Sequence, residues 1–318
     1  MSTEGNMFSI RVPASTANLG PGFDSVGLAL GLYLHLDAER SQQWEVIALT
    51  DELKQFPSDE QNYIVKVAQK TAAYYGKQLE PHVLYVSSDI PLARGLGSSA
   101  SAIVAGIELA DAACGLGLTI QEKAHHASLI EGHPDNAGAS VLGGLVVGKH
   151  TEEHTDILSF MLEEVKVIAV IPDYELLTEK SRDVLPADVT FGEAVRASAV
   201  SNMLVAALLS KNWQLAGKMM KEDRFHQPYR TALIPHFPEI EKAAEQSGAF
   251  GVAISGAGPT VVCFTESESA VQVCEQLSSA FPQFAVKIVD IDYQGSVVTR
   301  HKDGHGEERT VNARGLAE

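Results

Sequence analysis

The chain has 318 residues, 45% hydrophobic and 20% charged, which is enough apolar material for one or two domains with buried cores and excludes a disordered or fibrous protein. Its 24 Lys and Arg against 41 Asp and Glu give a formal charge of −17, which excludes a broad nucleic-acid or anionic-membrane surface. Any phosphate site has to be local, built from oriented N–H groups, a few placed cations and a metal.

Met7 to Val12 and Trp44 to Leu49 read as strands, with the apolar run Val26 to Leu36 between them broken by Gly27 and Gly31. Asn62 to Tyr75 has helical periodicity, Val83 to Val86 is strand-like, and Ser98 to Cys114 is a long small-residue helix. Thr119 with Glu122 forms a capping-box pattern opening a helix that stops near Glu131-Gly132-His133-Pro134. Leu142 to Val147 is again strand-like, and the polar stretch from His150 to Asp156 places a domain boundary after residue 155. The second half opens with the strand Val165 to Ile171, has helical stretches around Phe191 to Leu209 and Ile234 to Gln246, and ends in strands and a helix between Val252 and Ile291. The order predicts α+β or α/β layers, with units at 1–155 and 156–300 and a polar tail at 301–318, of which His301 to Arg309 is expected to be mobile. Cys114, Cys263 and Cys274 have no metal-ligand spacing and read as small residues of a reducing compartment. With no signal segment and no run of 18 apolar residues, a cytoplasmic location is expected.

Three separated loops carry the residue types that phosphate chemistry needs. The most informative is Pro91-Leu92-Ala93-Arg94-Gly95-Leu96-Gly97-Ser98-Ser99-Ala100-Ser101, where glycines and small hydroxyl residues run into a helix. Here the backbone can approach an anion while first-turn N–H groups point at it, and the serines offer hydroxyls to phosphate or magnesium. No Gly-Lys-Ser/Thr follows, so it is not a P-loop. Gly95-x-Gly97-x-x-Ala100 does fit the permissive dinucleotide fingerprint, which makes an NAD-dependent oxidoreductase a rival reading. That reading requires a strand ending in Asp or Glu about 20 residues further on, where Leu116 to Glu122 is instead a glycine turn and helix start. The other loops are Pro13 to Asp24, with Asn18 and Asp24 among glycines, and Ser255-Gly256-Ala257-Gly258-Pro259-Thr260; alone, they read equally well as an Asx turn and a tight hairpin.

In this order and at these separations the three loops closely resemble the signature motifs of the GHMP kinases, a superfamily of ATP-dependent small-molecule kinases, and the amino-terminal one is the version found in the branch acting on L-homoserine. The resemblance runs to about Arg300. It implies an α+β fold with an amino-terminal domain like domain 2 of ribosomal protein S5 and a ferredoxin-like carboxy-terminal domain, assembled as a homodimer. The implied reaction is ATP- and Mg2+-dependent phosphorylation of the L-homoserine hydroxyl, within threonine biosynthesis, with no nucleic-acid or membrane partner. A mevalonate-like member of the superfamily is the alternative.

By the same resemblance, Pro91 to Ser101 wraps the ATP phosphates, and a side chain at Gly97 is expected to weaken ATP binding without unfolding the chain. Ser98 and Glu131 are the implied metal ligands; a helix cap and a solvated helix-end carboxylate are the competing readings. Asp24 matches the position that takes the substrate ammonium, with Asn18 beside the hydroxyl. Thr178, Arg182 and Arg230 match substrate-binding positions, the arginines as carboxylate clamps, and His133 matches the same site; surface arginines and a satisfied loop histidine compete with these readings. Asn136 stands where mevalonate-type members have an aspartate base, and an amide accepts no proton at neutral pH. The implied catalytic set is therefore Asn136, Asp24 and Asn18, acting by positioning and charge stabilisation, with the hydroxyl proton passing to the γ-phosphate or, less favourably, to Asp24.

Overall fold

The computed structural model describes residues 7–301 and the backbone of residues 309–312. In β1 (Met7–Ala17) every second residue at the start, Phe8, Ile10 and Val12, is buried, and after a bulge at Pro13/Ala14 the whole stretch to Ala17 is enclosed. It pairs with β2 (Val26–Arg40), which reaches β4 (His82–Ser88) with its second half; β3 (Glu45–Ala48) lies parallel on β4. Between β3 and β4 runs α1 (Tyr63–Tyr74), opened by Asn62, whose side chain accepts from the Ile64 N–H. After β4 come α2 (Ser98–Cys114), α3 (Ile120–Glu131), which starts with the Thr119/Glu122 capping box, and α4 (Asp135–Leu142). The hairpin β5 (Leu145–His150) and β6 (Thr155–Phe160) then adds to the first half of β2.

The second sheet begins with β7 (Val165–Ile171). A helical excursion follows: α5 (Thr178–Asp183), α6 (Phe191–Leu209), α7 (Trp213–Lys221), α8 (Gln227–Arg230) and α9 (Phe237–Ser247). The chain returns through β8 (Gly251–Ile254), β9 (Val261–Glu266), α10 (Ala270–Ala280) and β10 (Ala285–Val289). The antiparallel order β10-β7-β9-β8 with helices between the first and second and the third and fourth strands is the ferredoxin-like arrangement. The chain then returns to the first sheet, where β11 (Val297–His301) pairs with β1 and β12 (Arg309–Asn312) with β11.

The fold is therefore α+β and mainly antiparallel, unlike the doubly wound parallel sheet that a dinucleotide fingerprint requires. Several expectations shift. The first sheet runs past residue 155 to Phe160 and recovers residues 297–301, because the β5–β6 hairpin and β11 satisfy their backbone groups on it. Of the stretch expected to be mobile, His301 ends β11 and Arg309 opens β12, which pairs with β11, whose outer N–H and C=O groups need partners whatever the side chains; residues 302–308 and 313–318 lie outside the described residues. The strand expected from Leu142 starts at Leu145, because Leu142 ends α4. The helix expected from Ile234 starts at Phe237, with Pro238 in the first turn, where no N–H is needed.

Candidate active site

The three loops meet backbone to backbone. The Ser15 N–H donates to Leu96 O at 3.1 Å, Gly256 N–H to Ala17 O at 3.2 Å and Thr260 N–H to Arg94 O at 3.2 Å. Ser255 Oγ donates to Gly95 O at 2.6 Å and lies 2.8 Å from Thr16 Oγ1. This packing leaves no room for side chains. Gly95 and Gly97 hold φ of 76° and 73°, and a Cβ would run into the Ser255 carbonyl at the first and the Ser15 hydroxyl at the second. A side chain at Gly97 thus disrupts the loop itself, which corrects the expectation that it would affect only the ligand.

Within the glycine loop the residues divide by task. Leu96, Ala100 and Ser101 are fully buried and anchor it in the core, Ser101 Oγ donating to Ser98 O. Arg94 is tied to backbone carbonyls, with Nε on Pro172 O at 3.0 Å, Nη1 on Leu92 O at 3.0 Å and Nη2 on Asp173 O at 2.6 Å, so it clasps the loop to the exit of β7. Gly97 caps α2, whose first internal bond runs from Ser101 N–H to Gly97 O. The N–H groups of Ser98, Ser99 and Ala100 therefore have no intrahelical acceptor, and the positive end of the helix lies at the loop. Pro91 opens the loop, and Leu92 and Ala93 line a cavity of about 550 Å3 together with Ser98 and Ser99. Its other walls are largely apolar, among them Val46, Phe56, Tyr63, Ile64 and Val86. None of these was singled out by motif. Val46, Ile64 and Val86 read from sequence as core residues and are indeed buried, and only the three-dimensional arrangement shows that they also wall a cavity.

Ser98 and Ser99 also line a second, polar cavity of about 90 Å3, which Gly95, Gly97, Gly256 and Ala257 border from the loops. Across it stand Asn18, Asp24, Thr178, Arg182 and Arg230, and at its floor Glu131, His133, Asp135 and Asn136. Gly258 braces the hairpin through its N–H on Ser255 O. Residues spread from position 18 to 257 thus share one small space.

Asp24 and Arg182 form a two-pronged ion pair, Nη2 to Oδ1 at 2.8 Å and Nη1 to Oδ2 at 3.1 Å. Arg230, 2% exposed, donates through Nε to Ser181 O at 3.0 Å and through Nη1 to Gly256 O at 2.9 Å. Burial and then the like charge of Arg182 pull its pKa down to about 10, still a cation at neutral pH. Both guanidinium groups lie over the Phe23 ring, at 5.5 and 5.2 Å from its centroid, a contact that sequence reading missed. Asn18 lines the cavity while its amide braces the loop, accepting from the Asp24 N–H at 3.0 Å and donating to Gly256 O at 3.1 Å.

Asn136 Oδ1 accepts from Ser15 Oγ at 3.0 Å. His133 Nδ1 lies 2.5 Å from Asp135 Oδ1. Burial would lower the imidazole pKa, but the hydrogen bond and charge of Asp135, with Asp24 and Glu131 behind it, raise it to about 9. His133 is therefore an imidazolium at neutral pH and no general base. Burial pushes the Glu131 carboxyl up, with Asp135 adding to the shift and His133, Ser99 and Arg182 opposing it. Asp24, His133 and Asp135 place ligand-type atoms within 4.8 Å of one another, but they are already matched as carboxylates against cations. Glu131 and Ser98 also line this cavity and offer hard oxygens that could hold a cation. Among the described residues no helix is long and apolar enough to cross a membrane.

Comparison with known proteins points the same way. The amino-terminal domain of the GHMP kinases matches residues 62–144 and their carboxy-terminal domain residues 204–283. A homoserine kinase of Bacillus velezensis is 52% identical over 93% of this chain and 96% of its own, and one of Bacillus licheniformis is 52% identical over 94% and 98%. Among solved structures, a Listeria monocytogenes chain assigned as a homoserine kinase superposes with a TM-score of 0.80 at 40% identity, over 92% of this chain and all of that one. The homoserine kinase of Cytophaga hutchinsonii gives 0.82 at 26% identity, over 94% of this chain and 98% of that one.

Proposed function

The chain belongs to the GHMP kinase family, and from that premise we propose that it is an ATP-dependent homoserine kinase, moving the γ-phosphoryl group of ATP to the side-chain hydroxyl of L-homoserine to give O-phospho-L-homoserine for threonine biosynthesis. The observation that carries this reading is the junction of the two cavities at Ser98 and Ser99. A nucleoside in the larger, apolar cavity would present its phosphates to the start of α2, and a small polar acceptor in the second cavity would meet the γ-phosphate there. Homoserine brings an ammonium, a carboxylate and a hydroxyl; Asp24 is the counter-charge for the first, and Arg182 and Arg230 for the second. With these anchored, the hydroxyl points toward the glycine loop, near Asn18 and Asn136.

In-line positioning does most of the work in phosphoryl transfer, so a strong base is not required. His133 is held protonated and supplies positive charge, and Asn136 can donate or accept a hydrogen bond but not take the proton. Asp24 is matched by a cation, Arg182 in the free protein and the substrate ammonium in the complex, so the hydroxyl proton passes most simply to the phosphoryl group. Glu131 and Ser98 would hold Mg2+, which neutralises charge on the phosphates. We further assign the protein to the cytoplasm as a homodimer, without nucleic-acid or membrane partners; its free cysteines and net charge of −17 support the compartment and the absence of polyanionic partners.

Release of ADP in the presence of homoserine, mevalonate, galactose and shikimate tests the reading. Turnover with homoserine well above the others is expected; turnover with mevalonate alone would overturn it.

A further inference from the structure

The substrate-facing charges are arranged so that each depends on the next. Asp24 is gripped by Arg182 through both oxygens at 2.8 and 3.1 Å, and Arg182 shares the Phe23 ring with Arg230. The Asp24 and Arg182 side chains are 34% and 39% exposed, so the pair is reachable from the cavity both residues line. Arg230, by contrast, is locked in place by Ser181 O and Gly256 O.

We propose that the Asp24–Arg182 ion pair is a specificity device: a ligand enters fully only by exchanging partners with it, which demands an ammonium and a carboxylate in the same molecule. The inference rests on the homoserine reading of this cavity. A zwitterion gives Asp24 a new cation and Arg182 a new anion, so no charge is left unmatched. A hydroxy acid offers only a carboxylate; Arg230 can take it while Arg182 stays on Asp24, so binding is weakened but nothing is broken. An amino alcohol offers only an ammonium, must displace Arg182 from Asp24, and leaves the Arg182 guanidinium without its carboxylate partner beside the like charge of Arg230. The expected order is zwitterion, then hydroxy acid, then amino alcohol by a wide margin.

The arrangement makes a prediction that ordinary contact loss does not. In Arg182→Gln the competitor for Asp24 is gone, so an amino alcohol should bind more tightly than to the wild type, while homoserine and the hydroxy acid bind more weakly. In Asp24→Asn the freed Arg182 should improve the hydroxy acid and worsen homoserine and the amino alcohol. Calorimetric titration of wild type and both variants with L-homoserine, 4-hydroxybutanoate and 3-aminopropan-1-ol reads all of these, with ATP titration as the control for an intact fold. Gains of about two- to fivefold are expected, the worth of a partly exposed two-pronged ion pair. Weaker binding of all three ligands to both variants, with ATP affinity unchanged, would overturn the exchange while leaving the substrate assignment intact. Failure of the wild type to bind homoserine would instead remove the reading beneath it. Should either variant fail to fold, Arg182→Lys keeps the charge without the fork; it should then loosen the selectivity against the amino alcohol, and unchanged selectivity would count against the exchange.

Discussion

Replacing His133 with asparagine removes the imidazolium at the floor of the polar cavity, and the structure sets both the sign and the size of the effect. The folded-state pKa of His133 is about 9, above the ordinary 6.5. A group whose pKa is raised on folding contributes stability that is fully present below its unfolded pKa, here 6.5, and is lost as pH rises through its folded pKa, here about 9. At about 1.4 kcal/mol per pH unit the contribution is about 3 kcal/mol. Solvent screens it little, since the His133 and Asp135 side chains are 13% and 1% exposed. Urea unfolding of wild type and His133→Asn at pH 6 and pH 10 should therefore show a stability gap larger by about 3 kcal/mol at pH 6. Taking the difference between the two proteins cancels the lysines, tyrosines and thiols that also titrate at high pH. A gap that stays constant, or widens toward pH 10, would refute the charged His133–Asp135 pair. The same reasoning gives no acidic limb near pH 6.5 that belongs to this histidine, so such a limb lost in His133→Asn would show that it works as a base after all.

Ser98→Ala and Glu131→Gln should each raise the Mg2+ concentration needed for half-maximal turnover, because each deletes a hard oxygen ligand; unchanged magnesium titration curves would reduce Ser98 to a first-turn residue of α2 and Glu131 to a half-buried carboxylate. Arg230→Lys keeps a charge but loses the fork that reaches Ser181 O and Gly256 O, so the KM for homoserine should rise roughly 30- to 150-fold while that for ATP changes little. Equal effects on both substrates would mark Arg230 as structural. Gly97→Val should lower the melting temperature and ATP affinity together, given the clash with Ser15, and a folded variant with wild-type ATP affinity would remove the loop from the nucleotide site. Asp24→Asn should weaken homoserine binding with only a modest loss of turnover at saturation; a fall of about 10²- to 10⁴-fold there, with the acidic limb abolished, would identify Asp24 as the general base.

Local signals told most about local structure. The small-residue run Ser98–Cys114 is a helix over the bounds its sequence suggests, and the Thr119/Glu122 box opens α3 as its spacing requires. The helix α4 gave no such signal: Asp135 to Leu142 is small, short and almost wholly buried, so it has no polar face to set a period. The helix α7 does carry an Asn212 cap and an amphipathic pattern, and was legible in principle.

The site divides along the same line. The loops announce themselves by composition, since a backbone that must approach another backbone or an anion needs glycine, and Gly95 and Gly97 show both pressures at once. What no local pattern carries is the relation between charges far apart in sequence. Arg182 reads as a candidate clamp by position, yet its meaning depends on Asp24, 158 residues earlier, occupying both its prongs. His133 reads as a loop histidine, yet its protonation follows from Asp135 two residues on and from Asp24 and Glu131 brought in by other elements. Residue types limit the chemistry a chain can perform; which of its charges are free to meet a ligand, and which must first be released from one another, is settled by folding. In this cavity that second question decides selectivity, because a carboxylate can be received without breaking any pair and an ammonium cannot.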